Sequence, residues 1–300
     1  MTKVACIGEC MVEVAMPRPG AEQGRVDFAG DTFNTAVYLK RLAPSAEVAY
    51  VTALGTDPVS DRMAAAFAAE GLGTDLIERR EGRAPGLYAI TLDARGERSF
   101  TYWRDQSAAR TLFHAPAEVT PRALLDFDLV YLSGITVAIL AADARDALKD
   151  ALRRVRANGG SVAFDSNYRP RLWPDQATAR AEIGAFWALA DVGLPSLDDE
   201  LALFGEEGEA EILSRLTSGG VRRGALKRGS AGPVPIGAAG PLPPFPPAAK
   251  VVDTTAAGDS FNAGYLAAFL HGEDGAACLA AGHAMASEVV GHPGAIIPRG

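Results

Sequence analysis

Short apolar runs alternate with helix-like segments along most of this chain, and this alternation restricts its fold more than any other feature. Alternating strands and helices are typical of α/β proteins with a largely parallel sheet. The predicted strands are residues 4–8, 48–53, 129–133, 161–165, 192–195 and 225–227. The predicted helices are residues 32–42, 58–70, 143–157, 178–189, 260–270 and 276–290. We therefore predict a doubly wound, mostly parallel sheet flanked by helices, with ligands bound at the carboxyl ends of its strands.

Two segments, residues 12–28 and 87–103, break this alternation and are predicted to form short strands with turns. The second contains a hairpin-like turn at residues 92–97. Residues 232–247 contain seven prolines in sixteen residues, which is typical of exposed edge strands and loops. The chain shows no internal repeat and no linker between independent domains, so we predict a single domain over residues 1–300.

Composition narrows the functional classes. With 300 residues, 48% of them hydrophobic and 22% charged, the chain can bury a large core in one domain. Its net charge of −8 argues against nucleic acid as a partner. No apolar run is long enough to span a bilayer and the first residues lack a signal-peptide layout, so we expect a cytoplasmic protein without a membrane partner. Cys6, Cys10 and Cys278 are predicted to be buried, reduced thiols.

Residues 251–265, VVDTTAAGDSFNAGY, place a carboxylate directly behind a turn of small residues that opens a helix. Residues 251–252 are predicted to end a buried strand, which would put Asp253 at a carboxyl end. The free N–H groups of the turn at residues 256–258 and the positive end of the helix dipole would stabilise an anion. Asp259 would then lie within reach as a base. The alternative is an ordinary strand–turn–helix junction in which Asp259 caps the helix.

The pattern D-T-T-A-A-G-D at residues 253–259 resembles the second signature, D-T-x-G-A-G-D, of the ribokinase-like (PfkB) family of small-molecule kinases. Residues 29–42, AGDTFNTAVYLKRL, resemble the first signature of that family. The family usually has Gly where this chain has Ala29 and Ala256. The resemblance implies that Asp259 is the catalytic base, assisted by a turn of three residues, and that the first signature contacts the sugar. The turn residues are Ala256, Ala257 and Gly258, and the sugar contacts are Gly30, Asp31 and Asn34.

The resemblance also implies a role for the two irregular segments. In the family, the positions of residues 12–28 and 87–103 form a small β-sheet lid that covers the sugar and commonly pairs with another subunit. We therefore expect a homo-oligomer formed through the lid. Further segments are similar to the family members that phosphorylate 2-keto-3-deoxygluconate: GECMVE at residues 8–13, PGLY at 85–88, YWR at 102–104, NYRPRLW at 167–173 and GAIIPR at 294–299.

A kinase for a sugar acid must hold a carboxylate, which arginine does best through its planar fork. Arg104 and Arg169 are the candidates. Alternatively, Arg104 stacks on a neighbouring aromatic ring and faces solvent, and Arg169 caps a helix or pairs with Asp165. Tyr88 and Tyr102 could supply hydroxyls and ring faces to the same pocket, or could only pack.

The resemblance places the nucleotide beyond the turn, against a Lys-x-Gly stretch and the C-terminal helices. The implied ATP contacts are Asn167, Ser196, Lys227, Gly229, Gly258, His283 and Ser287, although a lone helical His is more often structural. The family's Asn-x-x-Glu element, which arranges magnesium and phosphate, is represented only by Ser196 and Asp199, and Asp199 is expected to hold Mg²⁺, in part through water. Asp253 and Thr255, with carbonyls near residues 291–294, resemble a potassium-binding loop.

The implied activity is transfer of the ATP γ-phosphoryl group to a primary hydroxyl, the 6-hydroxyl of 2-keto-3-deoxygluconate, with Asp259 as base. Another PfkB sugar kinase such as a fructokinase would need no carboxylate clamp, and a sugar-sensing protein on this fold would be expected to lose the base. The Gly-x4-Gly-Lys-Ser/Thr signature of P-loop kinases is absent from the sequence. A dinucleotide-dependent enzyme would need Gly-x-Gly-x-x-Gly after the first strand, where the chain reads Ile7-Gly8-Glu9-Cys10-Met11.

Overall fold

A computed structural model describes residues 1–17, 23–92 and 98–299 of the chain. The strands are β1 Lys3–Ile7, β2 Met11–Ala15, β3 Arg25–Ala29, β4 Glu47–Gly55, β5 Ile77–Arg80, β6 Leu87–Leu92, β7 Arg98–Trp103, β8 Leu129–Ser133, β9 Ser161–Asp165, β10 Val192–Gly193, β11 Arg223–Leu226 and β12 Val234–Ile236. The helices are α1 Asp31–Leu42, α2 Pro58–Ala69, α3 Gly134–Ile139, α4 Ala142–Ala157, α5 Gln176–Trp187, α6 Leu197–Phe204, α7 Glu209–Ser218, α8 Ala257–Leu270 and α9 Gly275–Val289.

The large sheet has the strand order β12-β11-β10-β9-β8-β1-β4-β5. Its strand pairs are parallel, except for the antiparallel pair of β11 and the edge strand β12. After β1 the chain first builds outward through β4 and β5, and later through β8 to β12 on the other side. The carboxyl ends of β1 and β8 therefore flank the topological switch point, where ligands bind in such sheets. This topology confirms the predicted doubly wound α/β fold.

Helices cover both faces of this sheet, so its central strands are buried on both sides and are rich in apolar residues. Alternate residues of one strand enter different cores. Val130 and Leu132 of β8 pack in the cluster that contains α4 and α5. Leu129 and Tyr131 pack in the cluster that contains α1, α8 and α9. Helices α1 and α8, which carry the two signatures, thus lie on the same face of the sheet.

A second sheet, the lid sheet, has the order β3-β2-β6-β7. It is formed by the two segments that were predicted to break the α/β alternation. Strand β2 begins four residues after β1 ends, and α1 begins two residues after β3 ends, so the lid sheet is tied to the carboxyl end of β1. The predicted hairpin turn falls largely on residues 93–97, which lie outside the described residues.

Several sequence predictions are confirmed at the level of single elements. Helix α2 begins at the predicted residue, Pro58, where Asp57 caps it by accepting hydrogen bonds from the N–H groups of Val59 and Ser60, and α4 ends at the predicted residue, Ala157. The three cysteines are free and buried. The proline-rich segment contributes only the edge strand β12. Among the described residues, no helix combines the length and apolar character that crossing a bilayer requires.

The strand predicted to end at residues 251–252 is wrong. Val251 and Val252 are 63% and 41% exposed and lie outside the strands. The N–H groups of Val252 and Asp253 donate to the carbonyl of Val290 at the end of α9 instead of joining a sheet ladder. Asp253 therefore sits in a loop and not at the carboxyl end of a strand.

Candidate active site

A cleft of about 1460 Å³ opens at the carboxyl ends of the strands, between the lid sheet and the N-terminus of α8. Its volume exceeds the roughly 300–1,000 Å³ of a typical site for one small ligand, so it can hold two. With the exception of Asp253, the predicted site residues line this cleft: Gly30, Asp31, Asn34, Tyr88, Tyr102, Arg104, Asn167, Arg169, Ser196, Asp199, Lys227, Gly229, Thr255, Ala256, Ala257, Gly258, Asp259, His283 and Ser287.

Asp259 lies in the first turn of α8, where it meets the first signature. Asn34 donates from Nδ2 to Asp259 Oδ2 over 2.8 Å, and Thr35 Oγ1 donates to the Asp259 carbonyl over 3.1 Å. These bonds join α1 to α8. Asp259 is the third residue of the helix and Ala256 is its N-cap, so the alternative in which Asp259 caps the helix is wrong.

The surroundings of Asp259 change its acidity. Burial, followed by the negative charge of Asp31, raises the pKa of Asp259 to about 7, against the opposing effects of the Asn34 hydrogen bond and the Lys227 charge. A carboxylate whose pKa lies near neutrality is well matched to taking a proton from a hydroxyl group at physiological pH.

The turn before α8 has a left-handed residue where the family has Gly. Ala256 has φ 60° and ψ 15°, a conformation that costs a non-glycine residue about 1–2 kcal/mol. Its side chain packs against the apolar cluster of Met11, Ala29, Tyr88 and Ala295, which joins the lid sheet to the C-terminal segment.

The N–H groups of this turn are only in part available to a ligand. The Ala257 N–H donates to the Thr254 carbonyl over 3.2 Å. The expectation that the N–H groups from Ala256 to Asp259 all face an anion is corrected to that extent. Gly258 and Asp259 remain as the N–H groups of the first helical turn, which have no intrahelical acceptor.

Lys227 places a positive charge beside this turn. Its Nζ donates to Asp165 Oδ2 over 2.6 Å and to Asn262 Oδ1 over 3.0 Å, and Asn262 Nδ2 donates to the same Asp165 oxygen over 2.7 Å. A Cβ atom built on Gly258 would lie 3.6 Å from the ammonium nitrogen. Asn262 was not predicted, although it is a polar residue one turn after Gly258, between the apolar residues Phe261 and Ala263.

Asp31 joins the two sides of the cleft. It accepts hydrogen bonds from Ser133 Oγ and from Asn167 Nδ2, the latter over 2.8 Å. Asn167, which the resemblance assigned to the nucleotide, thus commits its side-chain amide to a residue that the resemblance assigned to the sugar. Ser133 was not predicted, but it ends β8 beside the switch point.

The two candidate arginines both line the cleft, in different settings. Arg104 is only 8% exposed, and its Nη2 donates to the buried Glu9, so the alternative in which Arg104 faces solvent is wrong. The Arg169 side chain is 51% exposed and donates to the Tyr168 carbonyl over 2.8 Å and to Asp199 Oδ1 over 3.3 Å. Arg169 therefore pairs with Asp199 and not with Asp165.

Several residues that were predicted to bind the nucleotide contact other parts of the protein. Ser196 caps α6 by accepting from the Asp199 N–H over 3.3 Å, and burial raises the pKa of Asp199. His283 Nε2 lies 2.8 Å from the Pro246 carbonyl oxygen, and its ring centroid lies 5.3 Å from that of Phe245. Within the described ranges, no group of three or more His, Cys, Asp or Glu side chains is arranged to hold a metal ion.

Asp253 links the turn to the C-terminal loop. Its Oδ1 accepts from the Thr255 N–H and its Oδ2 accepts from the Gly294 N–H, each over 2.8 Å. The carboxylate therefore holds together the two loops that were predicted to bind potassium. Binding of potassium at Asp253 and Thr255 stays a prediction.

A base at the start of a helix, a lysine beside it and an adjoining arginine-lined pocket define a small-molecule kinase on a doubly wound α/β sheet. The chain belongs to the pfkB family carbohydrate kinases, whose family model matches residues 1–299. It is 46% identical over 302 residues to the 2-dehydro-3-deoxygluconokinase of Dickeya dadantii (strain 3937), with 98% of this chain and 96% of that protein covered. It is 42% identical over 304 residues to the enzyme of the same name from Escherichia coli (strain K12), covering 99% and 97%.

A solved structure shows the same fold. The crystal structure of fructokinase with bound ATP from Xylella fastidiosa matches with a TM-score of 0.79 and 25% sequence identity, over 98% of this chain and 93% of that one.

Proposed function

We propose that this protein transfers the γ-phosphoryl group of ATP to the 6-hydroxyl group of 2-keto-3-deoxygluconate, also named 2-dehydro-3-deoxygluconate. The observation that carries the proposal is the position of Asp259, with its raised pKa, in the same cleft as Arg104 and Arg169. The cleft thus offers both a base for a hydroxyl and cations for a carboxylate. Relatives of that name, which cover almost the whole chain at 42–46% identity, support the choice of substrate.

In the reaction, Asp259 accepts the proton of the 6-hydroxyl as its oxygen attacks the γ-phosphorus. The new O–P bond forms while the bond from the γ-phosphorus to the bridging β-γ oxygen breaks, and ADP leaves with that oxygen. Asn34 holds the Asp259 carboxylate through its Oδ2, which leaves Oδ1 for the substrate hydroxyl. The proton then passes from Asp259 to solvent.

Charge on the transferred group is stabilised by Lys227 and by the N-terminus of α8. Lys227 is held in place by Asp165 and Asn262, so its charge does not have to reorganise during the reaction. Magnesium, when bound, neutralises the β and γ oxygens. A single carboxylate, Asp199, fits Mg²⁺, which usually keeps several waters and binds through one or two carboxylates and the phosphates.

The remaining site residues divide between the two ligands. The sugar acid is bound by Gly30, Asp31, Asn34, Tyr88 and Tyr102 together with the two arginines. ATP is bound by Lys227, Gly229, Ser196, His283 and Ser287, with Asn167 between the two ligands. A homo-oligomer formed through the lid sheet and a cytoplasmic location stay predictions.

A fructokinase is the main alternative, because fructose phosphorylation needs the same base. Fructose carries no carboxylate, however, and so would leave the two candidate arginines that line the cleft without an anionic ligand. A sugar sensor without catalysis is disfavoured because Asp259 is retained.

A coupled assay of ADP release over 2-keto-3-deoxygluconate, fructose and ribose tests the proposal. We expect the sugar acid to have the highest kcat/KM, and the product to carry phosphate on carbon 6 by ³¹P and ¹³C NMR. Asp259→Asn, purified in the same way, controls for contaminating kinases. A preference for fructose or ribose, or a rate that the control retains, overturns it.

A further inference from the structure

Tyr88 lies in a row of side chains that crosses the inner face of the lid sheet. It is opposite Glu13 of β2 on one side and Tyr102 of β7 on the other, and Asp27 of β3 extends the row beyond Glu13. Tyr88 and Tyr102 line the cleft. Glu13 is buried behind them, with 2% of its surface exposed.

The Tyr88 hydroxyl uses its proton in a hydrogen bond within the lid sheet. It donates to Glu13 Oε2, and Arg25 Nη2 lies 3.5 Å from the other carboxylate oxygen, Glu13 Oε1. An ionised carboxylate can only accept hydrogen bonds, so the single proton of Tyr88 points at Glu13. Burial and the charge of Glu13 raise the pKa of Tyr88, which keeps that proton on the hydroxyl.

We infer that Glu13 is a positioning residue that makes Tyr88 an obligate hydrogen-bond acceptor in the pocket, and thereby fixes which part of the sugar acid faces Tyr88. A substrate carboxylate has no proton to give to Tyr88, whereas a substrate hydroxyl does. Arg104 and Arg169 are donors only. The wall of the pocket therefore directs the acid end towards the arginines and a hydroxyl-bearing carbon towards Tyr88. This inference rests on the proposed function.

A second buried carboxylate holds the arginine side of the pocket separately from the tyrosine side. Glu9, which precedes β2, accepts from Arg104, so Arg104 is anchored by one acid and Tyr88 by another. Gly86 makes room for the first pair, since a Cβ atom there would lie 2.7 Å from Glu9 Oε1. Donor and acceptor positions of the pocket are thus each set by their own buried glutamate.

The test combines substitutions with substrate analogues. Glu13→Gln keeps the shape but adds N–H donors, so that Tyr88 can turn its proton towards the cleft. We expect this variant to raise KM for 2-keto-3-deoxygluconate about tenfold, as for the loss of one neutral hydrogen bond of roughly 1.4 kcal/mol, with kcat changed less than threefold. Asp27→Asn is the control for the shared partner Arg25, because Asp27 pairs with Arg25 and lies in the same row as Tyr88 without a hydrogen bond to it, and we expect a change below twofold.

Analogues that lack the 4- or the 5-hydroxyl separate recognition from a structural role. With the unmodified enzyme, one analogue should lose about tenfold in kcat/KM. With Tyr88→Phe, that analogue and the full substrate should be used equally well, because both changes remove the same hydrogen bond.

The outcomes are distinct. If the unmodified enzyme does not phosphorylate 2-keto-3-deoxygluconate, the proposed function fails. If it does, but Glu13→Gln leaves KM unchanged or Tyr88→Phe and the missing hydroxyl act additively, the inference fails while the proposed function stands. If Glu13→Gln does not fold, the Tyr88→Phe comparison alone decides.

Discussion

Asp259 occupies the position of the catalytic base, and its surroundings make its ionised form unfavourable. Its own burial favours the protonated form most, and the charges of the neighbouring Asp31 and Asp165 favour that form further. The Asn34 hydrogen bond and the Lys227 charge favour the ionised form. A base held in this way is ready to take a proton near neutral pH, but the folded protein is destabilised whenever it is ionised.

The first prediction concerns catalysis at this residue. Asp259→Asn keeps the shape and the contact with Asn34 but removes the base. We expect kcat to fall at least about a thousandfold, within the range of general-base contributions, while ATP and substrate bind nearly as before. Steady-state rates and calorimetric titration measure both effects. A kcat within tenfold of the unmodified enzyme contradicts the assignment.

The second prediction concerns stability and pH. Because the pKa of Asp259 is about 7 in the folded protein and its usual value is 3.8, the folded state binds this proton more tightly than the unfolded state. The resulting stabilisation is present below pH 3.8 and is lost as the pH rises through 7. An asparagine at position 259 does not titrate, so Asp259→Asn abolishes this loss. The free energy of unfolding of the variant, relative to that of the unmodified protein, should therefore increase by about 2–3 kcal/mol from pH 5 to pH 8. Urea unfolding at the two pH values tests this, and an equal advantage at both contradicts it.

The charged residues of the site were easier to predict from the sequence than the residues that contact them. Asp259, Lys227 and Arg104 follow recognisable motifs. Glu9 and Glu13 precede or occupy a short strand, where charges usually face solvent, and they are buried because Arg104, Arg25 and Tyr88 reach them from the other strands of the lid sheet. Such long-range partners leave no local signal in the chain.

At the scale of elements, the strands with a continuous apolar run were predictable, and several short elements without a clear pattern were not. Strands β8 and β9 have the predicted bounds. Strand β5 and helices α3 and α6 have four, six and eight residues, which is too short for a clear period. Val251 and Val252 look like a strand, but Pro246 and Pro247 before them lack N–H donors and the segment pairs with the end of α9 instead.

The third prediction tests an element away from the cleft. Asp57 holds the first turn of α2 through two backbone N–H groups and also accepts from Ser60 Oγ over 2.6 Å. Asp57→Ala should lower the free energy of unfolding by about 0.5–2 kcal/mol and leave kcat/KM within twofold. Asp57→Asn retains an acceptor and should cost less. Urea unfolding measures both, and an unchanged midpoint for Asp57→Ala contradicts the capping role.

At the scale of the whole molecule, the two sheets divide the work. Asp259 lies on helix α8, which packs on the large sheet, and Lys227 directly follows strand β11 of that sheet. The lid sheet supplies Tyr88 and Tyr102, and Arg104 directly follows its strand β7. The alternation of strand and helix patterns correctly predicted the large sheet, and resemblance to the family correctly predicted the second, small sheet. A single domain over residues 1–300 stays a prediction.

The fourth prediction concerns assembly. The lid sheet has exposed apolar residues, among them Val26 at 61% and Trp103 at 58%, and open edges at β3 and β7. Sheets of this kind are commonly covered by a twofold partner, so we expect at least a homodimer. Light scattering at tens of micromolar should show it, and Val26→Lys should shift it to monomer. A monomeric unmodified protein rules out this role of the lid sheet.

Recognition of the substrate carboxylate by arginine separates this kinase from kinases of neutral sugars. Arg169 is the better site for a test, because its side chain is 51% exposed and that of its partner Asp199 is 21% exposed, whereas removing Arg104 would leave the buried Glu9 without its partner. Arg169→Ala should lower kcat/KM for 2-keto-3-deoxygluconate at least about thirtyfold, as for the loss of roughly 2 kcal/mol from a charge pair that the substrate covers. Arg153→Ala, on the exposed face of α4, is the control.

The most direct measurement is the ratio of kcat/KM for 2-keto-3-deoxygluconate to that for fructose, in the unmodified enzyme and in Arg169→Ala. We expect a ratio far above one that falls at least about thirtyfold in the variant, because fructose has no carboxylate to interact with Arg169. A ratio below one, or an equal loss for both sugars, contradicts it.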